Sequence, residues 1–364
     1  MNDEQGGEMK IFQNVIKYSL RLKRGESVFI FADNESRDYT IQLYNELLEN
    51  GNVPFLVWND IPFNNMLIET KNKNIDSKLY DIIEKSIENC DAAIMLDNNI
   101  EDYSDYNSDD VIMFKNNYYL KIFQRIMKFK KWVYLRYPSE KLANLFNLSY
   151  DEHLKLLVDV NNFNYNKLYK KAEKLKNLLD KTEEIRILGK DTDLTFTKNN
   201  INSVICCGNI NLPDGEVYTA PNKFSVNGKI YFDVDSYFRG KIYKDIKLTV
   251  KNGKIIEFSC NLPEELNKIL QSDEGASYFG EFAFGLNPYI TKNYNDNLFN
   301  EKMARTIHLA IGCAHADSPN GNVSIIHWDL IKTMYENCSI YFDGQLIYKD
   351  GEFILPELKD IYEV

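Results

Sequence analysis

Long apolar runs are missing from this sequence. None approaches the roughly 20 residues that a helix needs to cross a bilayer, and Met1 to Lys10 is polar with no hydrophobic segment after it. Neither a membrane span nor a secretory signal is expected, and the expected location is the cytoplasm. Gly6-Gly7-Glu8-Met9 carries no fold signal and reads as a leader or an alternative start. Cysteine is present but unpatterned. Cys90, Cys206, Cys207, Cys260, Cys313 and Cys338 show no C-x-x-C spacing, so free thiols are expected rather than disulfides or a thiolate metal site. Basic residues are outnumbered, 43 Lys and Arg against 54 Asp and Glu, for a net charge of -11. That balance argues against nucleic-acid or anionic-membrane partners, which require clustered positive charge. Internal repeats are absent as well.

What is there begins with strand and helix patterns. Ser27-Val-Phe-Ile-Phe-Ala32 is a short β-branched and aromatic run, Tyr39 to Glu49 has apolar residues at helical spacing, and Val53 to Trp58 is strand-like again. This β-α-β order implies a parallel sheet with right-handed crossovers. Ala92 to Asp97 and Trp132 to Arg136 repeat the buried-strand pattern. The first half therefore reads as a Rossmann-like α/β domain, residues 1–184. No G-x-G-x-x-G follows its first strand, which ends in Ala32-Asp33-Asn34-Glu35. A dinucleotide cofactor is not expected, and this half reads as scaffold.

Glu152 to Lys181 is strongly helical, with Leu156, Leu157, Val160, Leu168, Ala172, Leu175 and Leu178 on an apolar stripe, and the boundary is placed near residue 185. Beyond it come short alternating segments: Ile185 to Leu188, Leu194 to Thr197, Lys229 to Asp233 and Asp245 to Val250. Asn227-Gly228 and Asn252-Gly253 are turn signals, the second flanked like a hairpin. One helix should start at Pro263-Glu264-Glu265 and end near Gly275. Residues 185–364 are expected to form a β-rich α+β domain.

Histidine is the scarcest informative residue. The chain has four, and three of them, His308, His315 and His327, fall within twenty residues. In Ser324 to Leu330 the β-branched character indicates a strand, so His327 and Asp329, two apart, share one face. Imidazole and carboxylate side by side suit a zinc-like or iron-like cation, although an exposed polar strand face gives the same pattern. His308 lies in the strand-like Thr306 to Gly312 beside small Ala310, where a ligand and a hydrogen-bonded core histidine are equally open. Glu281 sits inside the aromatic run Phe279 to Gly285. Its burial demands a cation, a hydrogen-bond network, a raised pKa or a salt bridge to Lys or Arg. Asp214-Gly215 marks a turn that projects Glu216 where a loop enters a strand.

Together these segments resemble the aminopeptidase T and aminopeptidase S family of dinuclear metallopeptidases. The matching text is TDLTF (Thr192 to Phe196), NLPDGEVYTAP (Asn211 to Pro221), SDEGASYFGEFAFGLNP (Ser272 to Pro288), EKMARTIHLAIG (Glu301 to Gly312) and SIIHWD (Ser324 to Asp329), in the family's order and approximate spacing. Arg136-Tyr137-Pro138-Ser139 extends a weaker likeness into the first half. The resemblance implies two divalent metal ions (zinc, cobalt or manganese) held by Glu216, Glu281, His308, His327 and Asp329. It further implies a water activated for attack on a peptide carbonyl, with Glu281 or Glu216 bridging the ions and taking the proton. Peptide or peptide-like small substrates, a homodimer and substrate access between the domains are implied too.

Two departures stand out. His315 occupies a position where the family typically has tyrosine, which makes it a candidate catalytic donor or an added ligand. The Gly-Gly element usual before the second histidine block is Asn320-Gly321-Asn322 here. Two other functions stay open: an iron-dependent ring-cleaving dioxygenase using His308, His327 and Asp329 as a facial triad, and a specialised member without general peptidase activity.

Overall fold

A computed structural model describes residues 10–98 and 108–364; the Gly6 to Met9 stretch lies outside the described residues. The chain forms two compact units, Met1–Asn162 with Gly208–Pro213, and Phe163–Cys207 with Asp214–Val364.

The first unit is built on a parallel sheet of five strands, in the order Val53–Asn59, Ser27–Asp33, Ala92–Leu96, Trp132–Leu135 and Asn211–Leu212. Its central strands are buried on both faces, as the continuous apolar runs require. Phe29, Phe31, Ala93 and Met95 meet Ile68, Ile87, Phe114, Ile122 and Ile126 in one core cluster. Val28, Ile30, Ile94 and Leu96, which alternate onto the other face, are equally inaccessible. Each such side chain contributes about 1.5–3 kcal/mol by leaving water. The α/β class and the parallel sheet are as the sequence indicates.

The units divide at 162/163, ahead of residue 185. The helical pattern from 152 to 181 is two helices, Tyr150–Asn161 and Tyr165–Lys181, separated where Asn164 caps the second by accepting from the Lys167 amide. The second helix belongs to the second unit. An almost unbroken apolar stripe conceals that break.

The second unit carries an eight-stranded sheet and a five-stranded sheet. Every pairing in both is antiparallel. The smaller one runs His327–Thr333, Thr306–Gly312, Phe279–Gly285, Glu216–Thr219, Val204–Cys206. Phe282 and Phe284 project from one face of it onto Phe196, Phe342, Tyr348 and Phe353 of the larger sheet, with ring centroids 5.2–6.3 Å apart. The opposite face is left for polar side chains.

Asn252-Gly253 makes the expected hairpin, with both residues at positive φ (50° and 80°) between Ile246–Lys251 and Lys254–Ser259, as a two-residue turn of the primed type demands. Asn227-Gly228 does not turn: it opens strand Asn227–Phe232, and a Cβ at Gly228 would lie 2.0 Å from the Asp193 carbonyl oxygen. Glycine is needed there for close approach of two strands rather than for reversal. The helix beginning at Pro263 ends at Leu270, short of Gly275, which lies in the following 3-10 turn Glu274–Ser277. Among the described residues, no helix is long and apolar enough to cross a membrane.

Candidate metal centre

Strand register builds the site. Glu216 pairs with Gly285, His308 with Ala283, Glu281 and Asp329 both with Ala310, and His327 with Gly312. Residues opposite each other in an antiparallel pair point to the same face. Five polar side chains therefore rise from a floor of glycine and alanine that leaves room above it. The strand expected over Ser324 to Leu330 begins only at His327, yet His327 and Asp329 share a face as their spacing predicts.

A bulge at Gly280 shifts the register just before Glu281 and re-aims the following side chain. A Cβ at Gly280 would meet the Cys313 carbonyl oxygen at 2.4 Å. The loop after Gly312, which carries His315, is tied down by Asn320 and Asn322. Asn320 donates to the Pro221 and Phe279 carbonyls at 2.8 Å each, and Asn322 donates to those of Gly275 and Gly312 at 2.9 and 2.5 Å. Asn320-Gly321-Asn322 is thus a loop anchor.

The structure brings all six expected residues together. Glu281 is central: its Oε1 lies 3.2 Å from His308 Nε2, and its Oε2 lies 3.0 Å from His315 Nε2 and 3.3 Å from His327 Nε2. Glu216 Oε2 is 3.5 Å from His308 Nε2, and Asp329 Oδ1 is 3.4 Å from His327 Nε2 and 3.9 Å from His308 Nε2. Glu216, Glu281, His308 and Asp329 are buried. His315 is half exposed, with its ring against Tyr218 and His327 at 5.2 and 4.5 Å.

Burial opposes charge on Glu281, but His315, His308 and His327 outweigh it and hold the carboxyl well below the usual carboxylate range. Burial likewise opposes the imidazolium of His308 and of His327, and the surrounding carboxylates reverse that, raising both. In Asp329 burial is again overcome, chiefly by His327, and its pKa is lowered. The carboxylates thus favour positive charge on His308 and His327, the role a divalent cation would take over.

The donor set fits divalent cations. Glu216 Oε2 is buried without a hydrogen bond among the described residues, a costly state that a cation relieves, and Glu281 Oε2 faces the imidazoles of His315 and His327. Bond lengths of about 2.0–2.1 Å to nitrogen and oxygen in a tetrahedral site put neighbouring donors roughly 3.3–3.4 Å apart. The spacings around Glu281 fall close to that. Donor atoms of Glu216, Glu281 and His308, and of Glu281, His315 and His327, form two groups able to hold an ion, with Glu281 common to both.

A third group, Cys206, Asp214 and Glu216, lies beside a residue that the sequence pattern did not single out. Lys302 is 1% exposed, with Nζ 2.5 Å from Glu216 Oε1 and 2.7 Å from Glu301 Oε1. The anticipated lysine partner for a buried glutamate exists, but it serves Glu216 and not Glu281.

A family described as thermophilic metalloprotease (M29) matches residues 9–353, and the chain belongs to that family. It is 31% identical over 147 residues to aminopeptidase AmpS of Bacillus subtilis (strain 168), covering 38% of this chain and 35% of that protein. To aminopeptidase 2 of Geobacillus stearothermophilus it is 31% identical over 163 residues, 40% of this chain and 38% of the relative. To aminopeptidase T of Thermus aquaticus it is 33% identical over 121 residues, 32% and 29%. These matches span between 29% and 38% of the relatives' own lengths. Wild-type AmpT from Thermus thermophilus has the same fold, with a TM-score of 0.82 over 96% of this chain and 100% of that one at 19% identity.

Proposed function

We propose that this protein is a metal-dependent aminopeptidase with a dinuclear site in its second unit. The observation that carries the reading is the position of Glu281, whose two oxygens face different sets of donors at 3.0–3.3 Å. Glu216, Glu281 and His308 would hold one divalent ion, and Glu281, His327 and Asp329 the other, with Glu281 as the bridge. Such ions supply Lewis acidity toward a carbonyl oxygen and a nucleophile from water at neutral pH.

The remaining steps belong to the protein's own side chains. His327 Nδ1 is tied to the Cys313 carbonyl at 2.7 Å, which presents Nε2 to the site. His315, half exposed and 3.0 Å from Glu281 Oε2, is placed to exchange a proton with a substrate or to hydrogen-bond its developing oxyanion. From the family resemblance we read the substrate as a peptide or peptide-like small molecule and the protein as a cytoplasmic homodimer; the metal would be zinc, cobalt or manganese.

The dioxygenase reading gains nothing from the relatives, which are named aminopeptidases. A facial triad of His308, His327 and Asp329 also has no use for Glu216 and Glu281, which share the same cluster. The test is metal analysis of the purified chain, followed by aminoacyl chromogenic substrates with added zinc, cobalt or manganese. Two ions per chain and release of the amino-terminal residue are expected. Silence under every metal would favour a specialised member of the family.

A further inference from the structure

Lys302 follows a four-residue helix, Asn297–Asn300, whose first turn is capped by Asp296 accepting from the Phe299 amide. Buried lysine is rare unless paired, and this one faces a proposed metal ligand. Its ammonium donates to Glu216 Oε1 at 2.5 Å and lies 2.7 Å from Glu301 Oε1 and 3.9 Å from Asp214 Oδ1. The other oxygen of the same carboxylate, Glu216 Oε2, is buried, accepts no hydrogen bond among the described residues, and faces His308 Nε2 at 3.5 Å. One oxygen of Glu216 is therefore committed to an ammonium and the other is left for the site.

A second observation concerns the other donors beside Glu216. Cys206, Asp214 and Glu216 offer donor atoms within 4.8 Å of one another, a spacing that could hold a cation. The Lys302 ammonium already lies against two of these three residues. A fixed positive charge there answers their negative charge and disfavours a further divalent ion by like-charge repulsion.

We propose that Lys302 is a positioning residue that makes Glu216 a one-oxygen ligand and keeps a third cation from the Cys206–Asp214–Glu216 donors. The proposal rests on the dinuclear reading above. Groups that orient a ligand from outside the first coordination sphere change metal affinity by about 10–100-fold when removed. A lysine present only for packing or charge burial would alter stability without selecting one ion.

The experiment uses the full chain as wild type, Lys302→Met and Lys302→Arg, titrated with zinc by calorimetry and with Co(II) by visible absorption, with a thermal melt of each metal-free protein. In Lys302→Met, one of the two binding steps should weaken by about 10–100-fold, the other should stay within about twofold, a further weaker step should appear where the ammonium was lost, and the Co(II) spectrum of the weakened site should change. Lys302→Arg, which keeps the charge and a donor, should recover most of the loss. Two unchanged binding steps in Lys302→Met would overturn the proposal while leaving the dinuclear reading intact. Equal weakening of both steps with a lowered melting temperature would overturn it in favour of a structural ion pair. A wild-type chain that binds no divalent ion would remove the dinuclear reading and this inference with it.

Discussion

His327 Nδ1 lies 2.7 Å from the carbonyl oxygen of Cys313. A carbonyl only accepts, so Nδ1 carries the proton and, in the neutral ring, Nε2 is the lone-pair nitrogen. That nitrogen is the one facing Glu281 and Asp329 at 3.3 and 3.4 Å. A backbone partner on Nδ1 thus fixes both tautomer and ring orientation, the arrangement typical of metal-binding histidines.

Removing His327 and removing Glu281 should have different consequences. His327 serves only the group that includes Asp329, whereas Glu281 reaches both groups. His327→Ala should lower metal content from two ions per chain to one, and Glu281→Ala should lower it to near zero. Peptidase activity should fall below about one-hundredth in both, exceeding the 10–100-fold typical of outer-shell partners. Elemental analysis after gel filtration, with circular dichroism to confirm the retained fold, reads the outcome. Two ions retained in Glu281→Ala would remove the bridge from the model of this site.

His315 offers a choice between ligand and hydrogen-bond donor, and Co(II) separates them. As a ligand its loss changes the coordination number and hence the visible absorption of the ion near His327; as a donor it leaves that spectrum in place. We expect His315→Ala to lower kcat with two ions still bound. His315→Tyr, carrying the residue common in the family, should recover activity better than alanine because a phenol can donate to an oxyanion. A changed Co(II) spectrum together with no rescue by tyrosine would make His315 a ligand.

Strand alternation made a site plausible, and the family resemblance supplied its set of five ligands. That His327 and Asp329 share a face, and that His308 points away from Ile307 and Leu309, follows from strand alternation; that they act together with Glu216 and Glu281 was implied only by the resemblance. The floor of Gly285, Ala283, Ala310 and Gly312 was not legible in the sequence, because which small residue faces which ligand depends on register between strands far apart in sequence. Lys302 escaped for a similar reason. It follows a four-residue helix, outside any periodic segment, and its partner Glu216 is 86 positions away. The break between the two helices was hidden because the apolar stripe runs past Asn162-Phe163-Asn164 with little interruption. Asn227-Gly228 shows the limit of dipeptide signals, since glycine also serves where two backbones must approach closely.

The first unit holds the chain's fourth histidine, and it predicts an acid sensitivity separate from the metal centre. His153 is fully buried in helix Tyr150–Asn161, edge-on to Phe146 at 5.2 Å. Burial pushes its imidazole down from 6.5 to about 4. Between these values the unfolded chain binds a proton that the folded chain refuses, so stability rises with pH and is lost as pH falls from about 6.5 toward 4. At about 1.36 kcal/mol per unit, the loss from this group between pH 7 and 5 is about 2 kcal/mol. His153→Leu keeps an apolar side chain at the site and has no proton to gain. Its stability should therefore fall less than that of the parent over the same interval, by about 2 kcal/mol, whatever its stability at pH 7. Urea unfolding of both proteins at the two pH values, followed by far-ultraviolet circular dichroism, measures the difference. Parallel losses in parent and variant would show that His153 takes up its proton without unfolding.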